Sequence, residues 1–122
     1  MTLIAESEKY PYISFQLEAA DNIKIKKEAY VDTGAEFAGL FIPRNLLKNF
    51  NEPTFVHRFT LADGTEKPFD CFLGKIKVGS DEFETVVVLL EKPVTPLMGR
   101  NLLDKIIANF DGPNQKLKFL SV

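Results

Sequence analysis

Short extended runs separated by turn-forming residues occupy most of this chain. The segments ISFQLE and IKIKKEAYV flank the pair Asp21-Asn22, an arrangement that is typical of a β-hairpin. In the second segment isoleucines alternate with lysines, which is the period of a half-buried strand, before residues 29–31 become continuously apolar. The sequence therefore predicts a hairpin whose second strand ends directly before Asp32.

Two more hairpins are predicted further along the chain. FVHRFTLADGTEKPFDCFLGKIKVG contains a turn at 62–65, where a glycine tolerates positive φ. Pro68 indicates a sheet edge or a bulge in the returning strand, because proline cannot donate a backbone hydrogen bond. The next hairpin turns at 79–81 and continues into FETVVVLLE, whose β-branched residues indicate a buried strand.

Helical patterns are short. Pro43 suits the first position of a short helix, whose apolar side would carry Leu46, Leu47 and Phe50. Four apolar residues nearer the C-terminus repeat at helical spacing: Leu102, Leu103, Ile106 and Ile107. A turn at 111–114 then leads into a last strand, QKLKFLSV. The predicted fold is all-β and mainly antiparallel, a small closed or folded-over β-barrel with one or two short helices.

Length and charge narrow the classes of function. The 122 residues are expected to form a single domain over 1–122, and a net charge of -2 offers no basic field for phosphates, so nucleic acid is not an expected partner. No run of about 18 apolar residues occurs, so we expect a soluble, cytoplasmic protein without a membrane partner. Cys71 is alone and is expected to fill apolar space rather than to act as a nucleophile.

The tripeptide Asp32-Thr33-Gly34 allows two interpretations. Asp and Gly are common turn formers, so Asp32 could be only the first residue of a turn. A carboxylate placed directly after a buried strand could also be a catalyst. On the tripeptide alone the turn is the stronger interpretation, because turn carboxylates are common.

The wider context favours a catalytic role. Two apolar residues precede DTGA, a long hairpin follows, and the segment TPLMGRNLLDKI contains a Gly-Arg-Asn-Leu-Leu run at 99–103. This order resembles the retropepsin-like aspartic proteases, and the run is close to the segment with which retroviral proteases enter their C-terminal helix. The resemblance in element order extends from Ile13 to Phe119. It implies the retropepsin type of barrel and makes Asp32 the catalytic carboxylate.

Aspartic peptidases need two carboxylates that share a proton, one to activate water and one to polarise the peptide carbonyl. The chain has a single Asp-Thr-Gly, so a homodimer would have to place Asp32 opposite its symmetry mate. The expected activity is that of an aspartic endopeptidase acting on peptide or protein substrates, with no metal or other cofactor. His57, the single histidine, is expected to be a structural strand residue.

The resemblance also implies roles for residues near Asp32. Thr33 and Gly34 would supply backbone amides and a hydroxyl that joins the two turns across the dimer axis, and Ala35 would contact the substrate backbone. Arg100 would pair with Glu36. Two further groups are implied, a brace behind the turn formed by Leu97, Met98 and Gly99, and the tip of a flap formed by Ala62, Asp63, Gly64 and Thr65.

Three questions stay open on the sequence. The proposed flap tip is more polar than the glycine-rich flap of retroviral enzymes, which leaves flap closure and side-chain preference undetermined. The last strand is apolar on both faces, so it either meets a partner subunit or covers the edge of its own barrel. The chain could also be a retropepsin-like module that binds peptides or dimerises without cleaving, or a barrel that binds a small ligand.

Overall fold

The computed structural model describes residues 1–19, 23–47 and 55–122. Within these ranges the chain forms ten strands, one 3-10 helix and a single turn of α-helix. The strands are β1 (Leu3–Glu6), β2 (Tyr12–Ala19), β3 (Ile23–Val31), β4 (Leu40–Pro43), β5 (Phe55–Thr60), β6 (Glu66–Val78), β7 (Asp81–Leu90), β8 (Leu97–Met98), β9 (Ile107–Asp111) and β10 (Lys116–Leu120). The 3-10 helix is Arg44–Leu46 and the helix α1 is Arg100–Leu103.

Seven strands form one sheet in the order β2-β3-β8-β4-β7-β6-β5, and an additional pairing of β2 with β6 joins it into a ring. Most neighbours are antiparallel, while β8 runs parallel to β3 and β7 runs parallel to β4. The predicted mostly β, antiparallel-rich class is confirmed. The ring is not a clean barrel, because among the described strands β5 pairs with β6 alone and extends beyond the ring.

The predicted hairpins are present. In β2, Ile13, Phe15 and Leu17 are buried and alternate with more exposed residues, and the strand pairs with β3 in antiparallel register. The turn residues Asp21 and Asn22 lie outside the described residues. The other two hairpins are β5–β6 and β6–β7.

Pro68 lies at the predicted sheet edge. It is opposite Arg58 of β5, in the part of β6 that precedes the pairing with β7 from Cys71 onward. A residue without a backbone N–H is tolerated there because that side of the strand has no neighbour to receive a hydrogen bond.

The helix predicted from the spacing of Leu102, Leu103, Ile106 and Ile107 is present at its first two residues and wrong at its last two. Helix α1 ends at Leu103, and Ile107 is the first residue of β9. The amides of Lys105 and Ile106 donate to carbonyls only three residues back, at 3.0 and 3.3 Å, so the α-helical pattern is not continued. The β-branched Ile107 then pairs with Leu120 of β10, which leaves the chain in a hairpin.

The helix predicted to start at Pro43 is also shorter than expected. Pro43 ends β4, and only a 3-10 turn follows before Leu47, which is buried. Phe50 lies outside the described residues. Among the described residues, no helix has the length and apolar character needed to cross a membrane.

The C-terminal strand covers its own chain. It lies in the middle of a three-stranded sheet in the order β1-β10-β9, with both of its edges paired. Leu117 and Phe119 are fully buried in the main core, and Lys116 and Lys118 are exposed on the other face. Of the two alternatives that the sequence left open, the structure shows the strand covering its own chain, with both edges paired and the face of Leu117 and Phe119 buried.

Candidate active site

Asp32 lies at the end of β3 in a tight turn, called here the Asp32 turn (residues 32–35). Its Oδ1 accepts a hydrogen bond from the amide of Gly34 at 2.9 Å, and its carbonyl accepts one from the amide of Ala35 at 3.2 Å. The Asp32 side chain is half-buried, whereas Thr33 and Gly34 are exposed. The turn interpretation is thus correct as local structure, and it leaves the carboxylate accessible from solvent.

The predicted brace (residues 97–99) lies directly behind this turn. Strand β8 is inserted between β3 and β4, with Met98 paired with Val31 on one side and Leu40 on the other. The amide of Asp32 donates to the carbonyl of Met98 at 2.9 Å, and the amide of Arg100 donates to the carbonyl of Ala35 at 2.7 Å. Both ends of the Asp32 turn are therefore tied to one short segment.

Gly99 is at the closest point of this contact. A Cβ at this position would lie 2.5 Å from the carbonyl oxygen of Ala38 and 2.8 Å from that of Ala35. Both neighbours are backbone atoms, which cannot rotate away as a side chain can. The approach of the brace to the loop after Asp32 consequently requires glycine.

The expected ion pair between Arg100 and Glu36 is wrong. The Arg100 Nε donates to Asp104 Oδ1 at 2.8 Å, one helical turn further along the chain, and this hydrogen bond raises the pKa of Arg100. Residues four apart on a helix face each other, so Asp104 is available locally. Glu36 is exposed and lines a small open cleft with Arg100 and Asp104.

A cleft of about 520 Å³ opens beside the Asp32 turn. One wall is the loop that continues from the turn, and the other is β5 of the long hairpin. Its lining residues are Gly34, Ala35, Glu36, Phe37, Phe41, His57, Arg58, Phe59 and Thr60. The cleft thus combines the backbone of the Asp32 turn with aromatic side chains.

The tip of the hairpin is a polar, self-bonded turn. Asp63 Oδ1 accepts hydrogen bonds from the Thr65 amide at 2.9 Å and the Thr65 hydroxyl at 2.6 Å, and the hydroxyl bond lowers the pKa of Asp63. Gly64 has φ +87°, as the sequence predicts, and Ala62 is exposed. The tip is therefore an ordered turn held by its own side chains.

An aromatic contact between the loop after Asp32 and the hairpin was not foreseen from the sequence. Phe37 stacks on His57 with ring centroids 3.8 Å apart and planes 9° apart, and Phe59 meets Phe37 edge-on at 5.5 Å. The available signal was the alternation of Phe55, His57 and Phe59 in FVHRF, which places three rings on one face of a strand.

Cys71 is fully buried beneath the hairpin among Ala38, Phe41 and Val88, which confirms the apolar filler interpretation. Burial raises the pKa of its thiol, so little thiolate is present near neutral pH.

We expect iodoacetamide to alkylate Cys71 in the native protein at least about 100-fold more slowly than in the chain unfolded by denaturant. Mass spectrometry of timed samples measures both rates, and similar rates would contradict the burial.

The residues that carry the resemblance are close together in the fold. The brace is hydrogen-bonded to the Asp32 turn, and the long hairpin forms one wall of the cleft beside it. No family model matches the chain, and no curated protein matches it significantly.

Proposed function

We propose that the chain is an aspartic endopeptidase of the retropepsin type, active as a homodimer in which each subunit contributes Asp32. The observation that supports this most is the half-buried Asp32 carboxylate, which is held on a braced turn whose next residues, Gly34 and Ala35, line the cleft. A turn with only a structural role has no need of a cleft beside it or of a brace at both ends.

The chemistry requires two carboxylates in different protonation states. One Asp32 is ionised and takes a proton from water as the water oxygen attacks the peptide carbonyl carbon, while the partner's Asp32 donates its proton to the carbonyl oxygen. Transfer of a proton to the amide nitrogen then allows the C–N bond to break. The hydrogen bond from Gly34 restrains the carboxylate, so little reorganisation is needed at the moment of reaction.

The substrate is an extended peptide that lies in the cleft between the Asp32 turn and β5. Phe37, Phe41 and Phe59 offer apolar surface to its side chains, and the carbonyl of the exposed Gly34 can accept a hydrogen bond from its main chain, since the Gly34 amide is already bonded to Asp32. This mode recognises the peptide backbone together with alternate side chains.

The dimer has to use a surface other than the edges of β10, which are already paired. Strand β9 is the outer strand of the three-stranded sheet, and it exposes Ile107 and Phe110. An open strand edge with apolar side chains is a site at which a second copy can pair. We place the subunit contact there.

Because each chain supplies half of the dyad, a monomer is expected to have no activity. In the range where monomers predominate, doubling the protein concentration should raise the initial rate of peptide cleavage about fourfold. The measurement combines a dilution series on a peptide library with sedimentation of the same samples.

A rate that stays linear in concentration where sedimentation shows monomers would contradict the shared dyad. Peptide binding with no cleavage at any concentration would instead support the non-catalytic module.

A further inference from the structure

We propose that Phe37 and His57 are positioning residues that fix the distance between the hairpin β5–β6 and the Asp32 turn. Their stacked rings, together with Phe59, are called here the aromatic clasp. The inference rests on the proposed function for its effect on substrate. The clasp itself is a property of the resting protein and is testable without a substrate.

The backbone conformation of Phe37 is the second observation that supports a positioning role. Its φ is +75°, a region that bulky side chains rarely adopt. Strained residues of this kind persist where the surroundings determine them, and they concentrate at functional sites. The loop around Phe37 is fixed by hydrogen bonds at Ala35 and Ala38, which accept from the amides of Arg100 and Asn101 at 2.7 and 3.3 Å.

The hairpin needs a contact of this kind. In the part of the chain that the structure describes, β5 pairs only with β6, and β6 pairs with β7 only from Cys71 onward, so the outer part of the hairpin is a two-stranded ribbon. A two-stranded ribbon is marginally stable in water without packing on one face. Phe55, His57 and Phe59 supply that face, and all three rings contact Phe37.

The clasp lies where a peptide would enter. Phe37, His57 and Phe59 all line the cleft beside the Asp32 turn. Their contact sets the separation of the two walls between which a peptide would bind. Loss of the clasp should therefore weaken peptide binding and raise KM, with little effect on the chemical step, because Asp32 is held separately by the brace.

The test compares substitutions that keep or remove the ring at one position. His57→Leu removes the stack at similar volume, and His57→Phe keeps it. We expect His57→Leu to raise amide hydrogen exchange over 55–60 and to raise KM, each about three- to tenfold, with kcat changed by less than about twofold. His57→Phe should match the wild type in both measurements. Val56→Thr, on the exposed opposite face of β5, is the control and should change neither.

The loop side provides a second pair of variants. Phe37→Leu should have at least the effect of His57→Leu, because Phe37 also meets Phe55 and Phe59, and Phe37→Tyr should match the wild type. The double variant of Phe37→Leu with His57→Leu should be no worse than Phe37→Leu alone, because that change already removes the stack.

Unchanged exchange over 55–60 in His57→Leu, or equal behaviour of His57→Phe and His57→Leu, would overturn the clasp. If the wild type cleaves no peptide, the proposed function fails, and the exchange data still decide whether Phe37 and His57 hold the hairpin.

Discussion

Replacing Asp32 with Asn is expected to lower kcat/KM for peptide cleavage by at least about 10³-fold, because the dyad loses both its ionisable base and the proton that it shares. Asn keeps the shape of the side chain, and its amide oxygen can still accept the hydrogen bond from Gly34. The melting temperature should consequently stay close to that of the wild type. Cleavage of a peptide library followed by mass spectrometry provides the measurement.

A matched control separates loss of catalysis from loss of a negative charge. Asp81→Asn removes a carboxylate at the start of β7, in the hairpin turn with Ser80, and should leave the rate within about twofold of the wild type, as surface substitutions away from a site generally do. Undiminished cleavage by Asp32→Asn would rule out the dyad, and a comparable loss in Asp81→Asn would mean that the effect is not specific to Asp32.

Mixed dimers extend the same test to the subunit interface. A ninefold excess of Asp32→Asn chains should reduce the activity per wild-type chain to about one tenth, because most wild-type chains then have an inactive partner. Chains that act independently would keep their full activity. The result distinguishes a shared site from one that is complete in each subunit.

Local patterns account for the parts of the fold that the sequence predicted correctly. The hairpins β2–β3 and β6–β7 join neighbouring segments, so alternation of apolar residues and a turn between them are sufficient to indicate the pairing. The strand that ends at Asp32 follows from the same alternation. Gly64 was correctly predicted at positive φ because its turn chemistry is local as well.

The features that the sequence missed depend on distant partners. The pair Leu3 and Leu120 brings the two ends of the chain into one sheet, and no local pattern indicates that β10 lies between β1 and β9. Ile106 and Ile107 have a helical spacing, yet pairing with β10 places Ile107 in a strand. Tertiary context overrides propensity at such positions.

In the candidate site, too, some contacts agree with the sequence-based expectation and others depend on the three-dimensional arrangement. The expected contact of residues 97–99 with the Asp32 turn is present, whereas Arg100 was expected to pair with Glu36 although Asp104 lies one helical turn away. Phe37, which stacks on His57, has a φ of +75° that no sequence pattern at this residue indicates. Side-chain partners across a loop are determined by backbone geometry rather than by residue type alone.

Gly99→Ala is expected to damage both the fold and the site. The added methyl group would lie 2.5 Å from the Ala38 oxygen and 2.8 Å from the Ala35 oxygen, and these carbonyls accept hydrogen bonds from Asn101 and Arg100, the two residues that follow the brace. Overpacking of this kind costs about 3 kcal/mol, which for a domain of this size lowers the melting temperature by roughly 10 °C. Gly112→Ala is the matched control, because its Cβ would meet nothing within 4 Å.

The effect on activity should exceed the effect on stability. If the brace moves to relieve the contact, the Asp32 turn moves with it, because the Asp32 amide is bonded to Met98. A displacement of about 1 Å at a catalytic group lowers rates by about 100-fold. We therefore expect kcat for Gly99→Ala to fall by about that factor at a temperature at which the variant is fully folded. A folded Gly99→Ala protein with the kcat of Gly112→Ala would show that the brace does not position Asp32.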